Sequence, residues 1–261
     1  MLDYGKEADR YDASRGGEPR ADAAAAAVLG LLSPDAGTLL DVACGTGLVT
    51  RRLAGAGLRV TGVDSAQNMA RMAAGRLPGA IVLGDSRRLP FPDASFDAVC
   101  TVWLLHLLSG GDEVAAVVAE CARVLRPGGV FVTTVDKAAA HDVGSDIDAV
   151  LAPRPVRVAS DGAEAVEKHA AAQGLTRAGA ARFRGYGQGR TPRSTVEDIH
   201  RGWFTQVPPD GPQAARLAAG LAELPDQEVA RPDPRFTLMS FRSPTGRLSR
   251  GGADGDALEP S

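Results

Sequence analysis

The chain has 261 residues, 44% of them hydrophobic and only 5% aromatic, with a formal net charge of -3. That length supports one sizeable α/β domain or two small ones, with a core built mainly from Ala, Val and Leu. The acidic balance and the lack of a basic tract argue against nucleic acid as the main partner, and the most apolar early segment, residues 23–32, is too short to span a bilayer. The first residues show no basic region followed by an apolar core, so no secretory signal is expected. Cys44, Cys100 and Cys121 have no metal-type spacing, which fits a reduced, cytoplasmic protein with no bound metal.

Residues 1–19 are polar, and residues 20–32 are alanine-rich and predict a helix, so that 1–33 reads as an N-terminal helical cap. An alternation follows. Strands are predicted over 38–42, 58–63, 80–83, 96–102 and 130–135, and helices over 47–56, 66–76 and 112–125. Residues 126–129, Arg-Pro-Gly-Gly, read as a turn. Strands spaced by helices imply right-handed crossovers and a parallel sheet, with ligands at the carboxyl ends of the strands. Beyond Asp136 the pattern loosens. Helices are expected over 161–173, 194–204 and 213–224, a sixth strand within 175–186, and a last strand over 235–242. The domain is bounded at 34–243, with 187–225 a lid over the substrate and 244–261 a disordered Gly/Pro/Asp-rich tail.

The chemistry centres on residues 39–48, Leu-Leu-Asp-Val-Ala-Cys-Gly-Thr-Gly-Leu. An apolar strand ends in an acid, then a glycine turn opens a helix, which lets backbone approach a ligand closely. Gly45-Thr46-Gly47 supplies two glycines of a dinucleotide fingerprint but lacks the third. A carboxylate at Asp41 would repel a pyrophosphate and suit an ammonium. Asp64 ends the second strand about 20 residues after the first glycine, where an acid accepts from ribose hydroxyls. Asp85 ends the third strand, where an acid can accept from an adenine amino group. Three acids at successive strand ends favour a ligand with a ribose, a base and a positive end, and no phosphate.

Four segments in order then resemble one family. These are residues 40–47 (Leu-Asp-Val-Ala-Cys-Gly-Thr-Gly), 60–65, 84–97 and 124–129 (Val-Leu-Arg-Pro-Gly-Gly). Together they resemble the class I S-adenosylmethionine-dependent methyltransferases that act on small molecules. The resemblance implies a Rossmann-like, seven-stranded, mostly parallel sheet with an antiparallel last strand, helices on both faces and a helical lid insertion before that strand. It implies S-adenosylmethionine as cofactor. Ala43, Gly45 and Gly47 would lie along its methionine portion, and Asp64 would take the ribose. Ser65 and Met69 would lie beside the adenine, with Asp85 and Ser86 at its amino edge. Tyr11 and Arg15 would hold the carboxylate.

Around that pocket, His106 and His141 are candidate catalytic groups, each balanced against a packing or loop role. Trp103, Asp136, His200 and Trp203 are candidate substrate contacts. The expected activity is methyl transfer to an O, N or C nucleophile of a small organic molecule of secondary metabolism. Two readings compete: an S-adenosylmethionine-binding enzyme with other chemistry, and an NAD-dependent oxidoreductase.

Overall fold

A computed structural model describes residues 12, 16–152, 159–202 and 207–245. Seven strands form one sheet: β1 (Thr38–Val42), β2 (Arg59–Asp64), β3 (Ile81–Leu83), β4 (Phe96–Thr101), β5 (Leu125–Val135), β6 (Thr176–Arg184) and β7 (Arg235–Arg242). Their order is β3-β2-β1-β4-β5-β7-β6. The first five are parallel, and β7 runs antiparallel between β5 and β6. Strand order reverses between β1 and β4, and a crevice opens beyond the carboxyl ends there.

The helices are α1 (Gly17–Leu29), α2 (Leu48–Gly55), α3 (Gln67–Arg76), α4 (Gly111–Val124), α5 (Asp146–Leu151), α6 (Ala163–Ala172), α7 (Pro192–His200) and α8 (Pro212–Ala222). Period-two alternation sorts strand side chains to the two faces of the sheet. Leu40, Val99 and Phe131 join Val114, Val117, Val118 and Cys121 of α4 in one core. Leu39, Ala98, Cys100 and Val132 join Ala24, Ala25 and Val28 of α1 and Leu53 of α2 in the other.

Three local readings change. Helix α1 starts at Gly17, three residues before the predicted start, because Gly16 takes a left-handed conformation that turns the chain into the helix. The Arg-Pro-Gly-Gly segment is a bulge within β5, since Leu125 already pairs with Phe96 before the register shifts. Helix α5 was not predicted. Its six residues are too few for a clear periodic signal, and a Ser145–Asp148 capping box starts it.

Helices α7 and α8 form the insertion between β6 and β7. With α5 they bury a third, separate core of Ile147, Leu151, Ile199, Val207, Ala214 and Leu221. The 244–261 tail lies almost wholly outside the described residues.

Candidate active site

The crevice at the β1/β4 reversal contains a cavity walled by the start of α1, the turn after β1, the end of β2 and the segment after β4. Ala43 and Gly45 both adopt positive φ, 58° each, so the backbone coils as it leaves β1. A Cβ on Gly45 would meet no atom within 4 Å, so the turn presents open backbone to the cavity. Gly47 does different work. It is absent from the wall, and a Cβ there would come within 2.9 Å of Ala73 Cβ, so this glycine lets α2 pack on α3.

Asp64 is 8% exposed and lines the cavity. Gly45 N–H donates to its Oδ2 at 2.8 Å and Ala66 N–H to its Oδ1 at 2.8 Å. The carboxylate therefore locks the turn after β1 to the end of β2, and it keeps lone pairs for further donors. Burial pushes its carboxyl above the usual range, opposed by those backbone N–H groups. Ser65 and Met69 lie beside it in the wall.

Asp41 is 2% exposed, also in the wall. Thr50 Oγ1 donates to its Oδ2 at 2.7 Å and Cys100 Sγ to its Oδ1 at 3.5 Å. Burial outweighs these hydrogen bonds and pushes its pKa up to about 6. Burial and the nearby Asp41 push the Cys44 thiol far up, which leaves it a packing residue rather than a nucleophile.

Several expected contacts lie elsewhere. Asp85 and Ser86 are not in the wall. The Asp85 carboxylate is clasped by Arg87 at 2.8 Å, which lowers its pKa, and Arg87 also bridges to Glu113. His106 sits in a 3-10 turn, Leu105–Leu107. With three residues per turn, Leu104 and Leu107 share the face toward the cavity and His106 does not. His141 packs edge-on against Phe236 and lines a separate small groove with Arg190 and Arg231. Asp136 accepts from Ala163 N–H at 3.1 Å and so serves the start of α6. His200 ends α7 exposed, because Ile199 takes the inward position in the insertion's core. Tyr11, Arg15 and Trp203 lie outside the described residues. None of the described residues of 187–225 lines the cavity, whereas Gly17, Arg20 and Ala21 of α1 do.

Trp103 is in the wall, with φ 62° and its backbone N–H bonded to Thr134 Oγ1 at 2.7 Å. Against it lies a residue that the sequence reading passed over. Arg20 of α1 is 6% exposed, and its guanidinium carbon stands 3.5 Å from the Trp103 ring centroid. A signal was present: Arg20, Ala24 and Val28 share one i, i+4, i+8 stripe, the buried one. Asp12 and Thr46 were also missed. Thr46 Oγ1 donates to Asp12 Oδ1 at 2.6 Å, and Asp12 pairs with Arg76, so the segment before α1 is tied to the glycine turn.

Residues 40–133, which carry this turn and the strands beside it, match the model of the methyltransferase domain family. The chain carries a class I methyltransferase domain. The chain is 39% identical over 100 residues to a demethylmenaquinone methyltransferase of Tropheryma whipplei, covering 36% of this chain and 39% of that one. The chain spans between about a third and a half of the length of the curated relatives it matches. In fold the domain is similar to the cyclase SpnF, at 22% identity and TM-score 0.60, covering 93% of this chain and 94% of that one. It is also similar to an S-adenosylmethionine-dependent methyltransferase of Methanosarcina mazei, at 14% identity and TM-score 0.53, covering 84% and 97%. The methyltransferase family is one of enzymes that use S-adenosylmethionine, and the wall of this domain's cavity has the donors and acceptors to suit that cofactor. Open backbone at Gly45, a buried carboxylate at each of the β1 and β2 ends, and apolar Met69 and Leu107 fit a ligand with an ammonium, a ribose and a flat base. Among the described residues no helix is long and apolar enough to cross a membrane.

Proposed function

We propose that this protein transfers the methyl group of S-adenosylmethionine to an O, N or C nucleophile of a small organic molecule. The observation that carries the reading is the Asp64 carboxylate, buried at the cavity and fastened to the backbone N–H of Gly45 at 2.8 Å. It puts a ribose acceptor beside an open turn. It also occupies the N–H that a dinucleotide's pyrophosphate would need, which weighs against an NAD-dependent oxidoreductase.

In this reading Asp64 holds the ribose hydroxyls and the Ala43–Gly45 backbone lies along the methionine portion. Asp41 faces the ammonium, and Ser65 and Met69 flank the adenine. The cofactor, when bound, supplies an electrophilic methyl group. The chain's share of catalysis is to align the acceptor with that group and to exclude water. Val102, Leu104 and Leu107 supply the apolar lining for the second task. No histidine lies among the described wall residues. The acidic chain and a cavity sunk beneath α1 favour a small molecule over RNA. A role in secondary metabolism and a cytoplasmic setting belong to the same proposal. The Tropheryma relative is a demethylmenaquinone methyltransferase, one small-molecule activity found with a similar domain.

The test is transfer of a deuterated methyl group from labelled S-adenosylmethionine into a small-molecule extract, read by mass spectrometry together with S-adenosylhomocysteine release. A labelled small molecule is expected. Label found only in RNA or protein would overturn the substrate class. Product formed with the cofactor unconsumed would overturn methyl transfer in favour of cofactor-assisted chemistry of another kind.

A further inference from the structure

The wall of the cavity takes residues from three neighbouring strand ends. Asp64 marks the end of β2 and Ala43 the end of β1, the places given above to ribose and methionine. The next strand end belongs to β4, and Trp103 stands just beyond it, hydrogen-bonded across to Thr134 of β5. The part of the wall left over for an acceptor, once ribose and methionine have those places, contains Trp103 and Arg20 stacked on it.

We propose that Arg20 and Trp103 form an oxyanion subsite, and that the acceptor carries an anionic oxygen: a carboxylate, enolate or phenolate. The inference rests on the methyltransferase reading above. Three observations support it. Arg20 contributes the only cationic side chain among the described residues of the wall, whose other titratable members are Asp12, Asp41, Asp64 and Cys44. A guanidinium does not shed its charge on burial, and its planar fork suits an oxyanion. Stacking on the indole fixes that plane, and the face of the ring favours a cation. Second, the indole Nε1–H of Trp103, a residue of the same wall, is buried with no acceptor and is a donor that a shift of the ring could offer to a bound oxyanion. Third, the described residues of the wall offer no imidazole to remove a proton, and an acceptor that arrives ionised needs none.

The experiment uses the full chain with Trp203→Phe, which leaves Trp103 as the sole tryptophan of the two in the sequence. The protein is saturated with S-adenosylhomocysteine and titrated with 4-hydroxybenzoate and, separately, with neutral 4-hydroxybenzamide. Trp103 fluorescence reports binding. The anion should bind about tenfold tighter than the amide, from one charge-assisted hydrogen-bonded pair. Arg20→Gln should abolish that preference and Arg20→Lys should restore part of it, while S-adenosylhomocysteine affinity, measured by calorimetry, stays within about twofold. Equal binding of the two probes, or binding of neither, would overturn the subsite. So would an Arg20→Gln protein that loses affinity for S-adenosylhomocysteine but keeps it for 5′-methylthioadenosine, since Arg20 would then hold the cofactor's own carboxylate. A wild-type protein that binds no S-adenosylhomocysteine would instead overturn the methyltransferase reading, so the two failures are distinguishable.

Discussion

Asp41 is a buried acid held at a cost. Its native pKa of about 6 lies above the ordinary value of 3.8, so the folded state binds this proton more tightly than the unfolded chain does. The sign follows: the penalty is absent below the unfolded pKa and grows as pH rises through about 6, reaching roughly 3 kcal/mol at neutral pH. Asp41→Asn should therefore raise the melting temperature at pH 7.5 and change it little at pH 4. If Asp41 meets an ammonium, the wild type should bind S-adenosylhomocysteine more tightly at pH 7.5 than at pH 5, and the Asn variant should lose that dependence. Thermal unfolding and calorimetry at the two pH values check both statements. A less stable Asn variant at pH 7.5 would show that the hydrogen bonds from Thr50 and Cys100 outweigh the burial of charge. The pattern of an acid ending a strand was readable from residues 39–42, but the near-neutral state was not. It comes from burial in the folded core, which outweighs the hydrogen bonds from Thr50 and Cys100, brought to the carboxylate from 9 and 59 residues away.

The turn between β1 and α2 separates two glycines that look alike in sequence. Gly45 opens to the cavity, whereas Gly47 faces Ala73 of α3. Gly47→Ala should destabilise the fold by about 1–3 kcal/mol, from a left-handed φ of 80° and a contact that forces the helices apart, seen as a lower denaturation midpoint. Gly45→Ala has room for its methyl and carries only the strain of its left-handed φ of 58°, so it should destabilise less than Gly47→Ala and weaken S-adenosylhomocysteine binding more. If the two variants showed the reverse ranking, the open face of the turn would not be the ligand's. Sequence spacing marks both glycines as turn residues and cannot assign their neighbours, because those come from another helix. The same limit explains Asp85. It ends its strand as expected, yet Arg87 two residues on captures it, and only the local fold decides between that partner and a ligand.

Across the whole molecule, strands β1 to β5 were legible because period-two apolar runs bounded by glycine and proline recur with helical spacers. The far half was less so, since α5 is short and the insertion's core joins residues some 70 positions apart. At the end of the sheet away from the cavity, Asp97 accepts from Gly37 N–H, Thr38 N–H and Thr38 Oγ1 and pairs with Arg126 at 2.7 Å. Burial raises its pKa, but these partners win and bring it down to about 2. Its stabilisation is thus complete above the unfolded value and lost as pH falls through about 2. Asp97→Ala should cost about 2 kcal/mol or more in urea unfolding at pH 7, with S-adenosylhomocysteine affinity unchanged in the folded fraction. The central claim, that Asp64 and the turn it fastens form the ribose end of an S-adenosylmethionine site, is tested most directly by calorimetric titration of the wild type and Asp64→Ala with S-adenosylhomocysteine. Single-site binding by the wild type, weakened by roughly 1.5–3 kcal/mol in the variant, is predicted from the loss of charged hydrogen bonds. Equal affinity in a folded variant, or binding of NADH with none of S-adenosylhomocysteine, would contradict it.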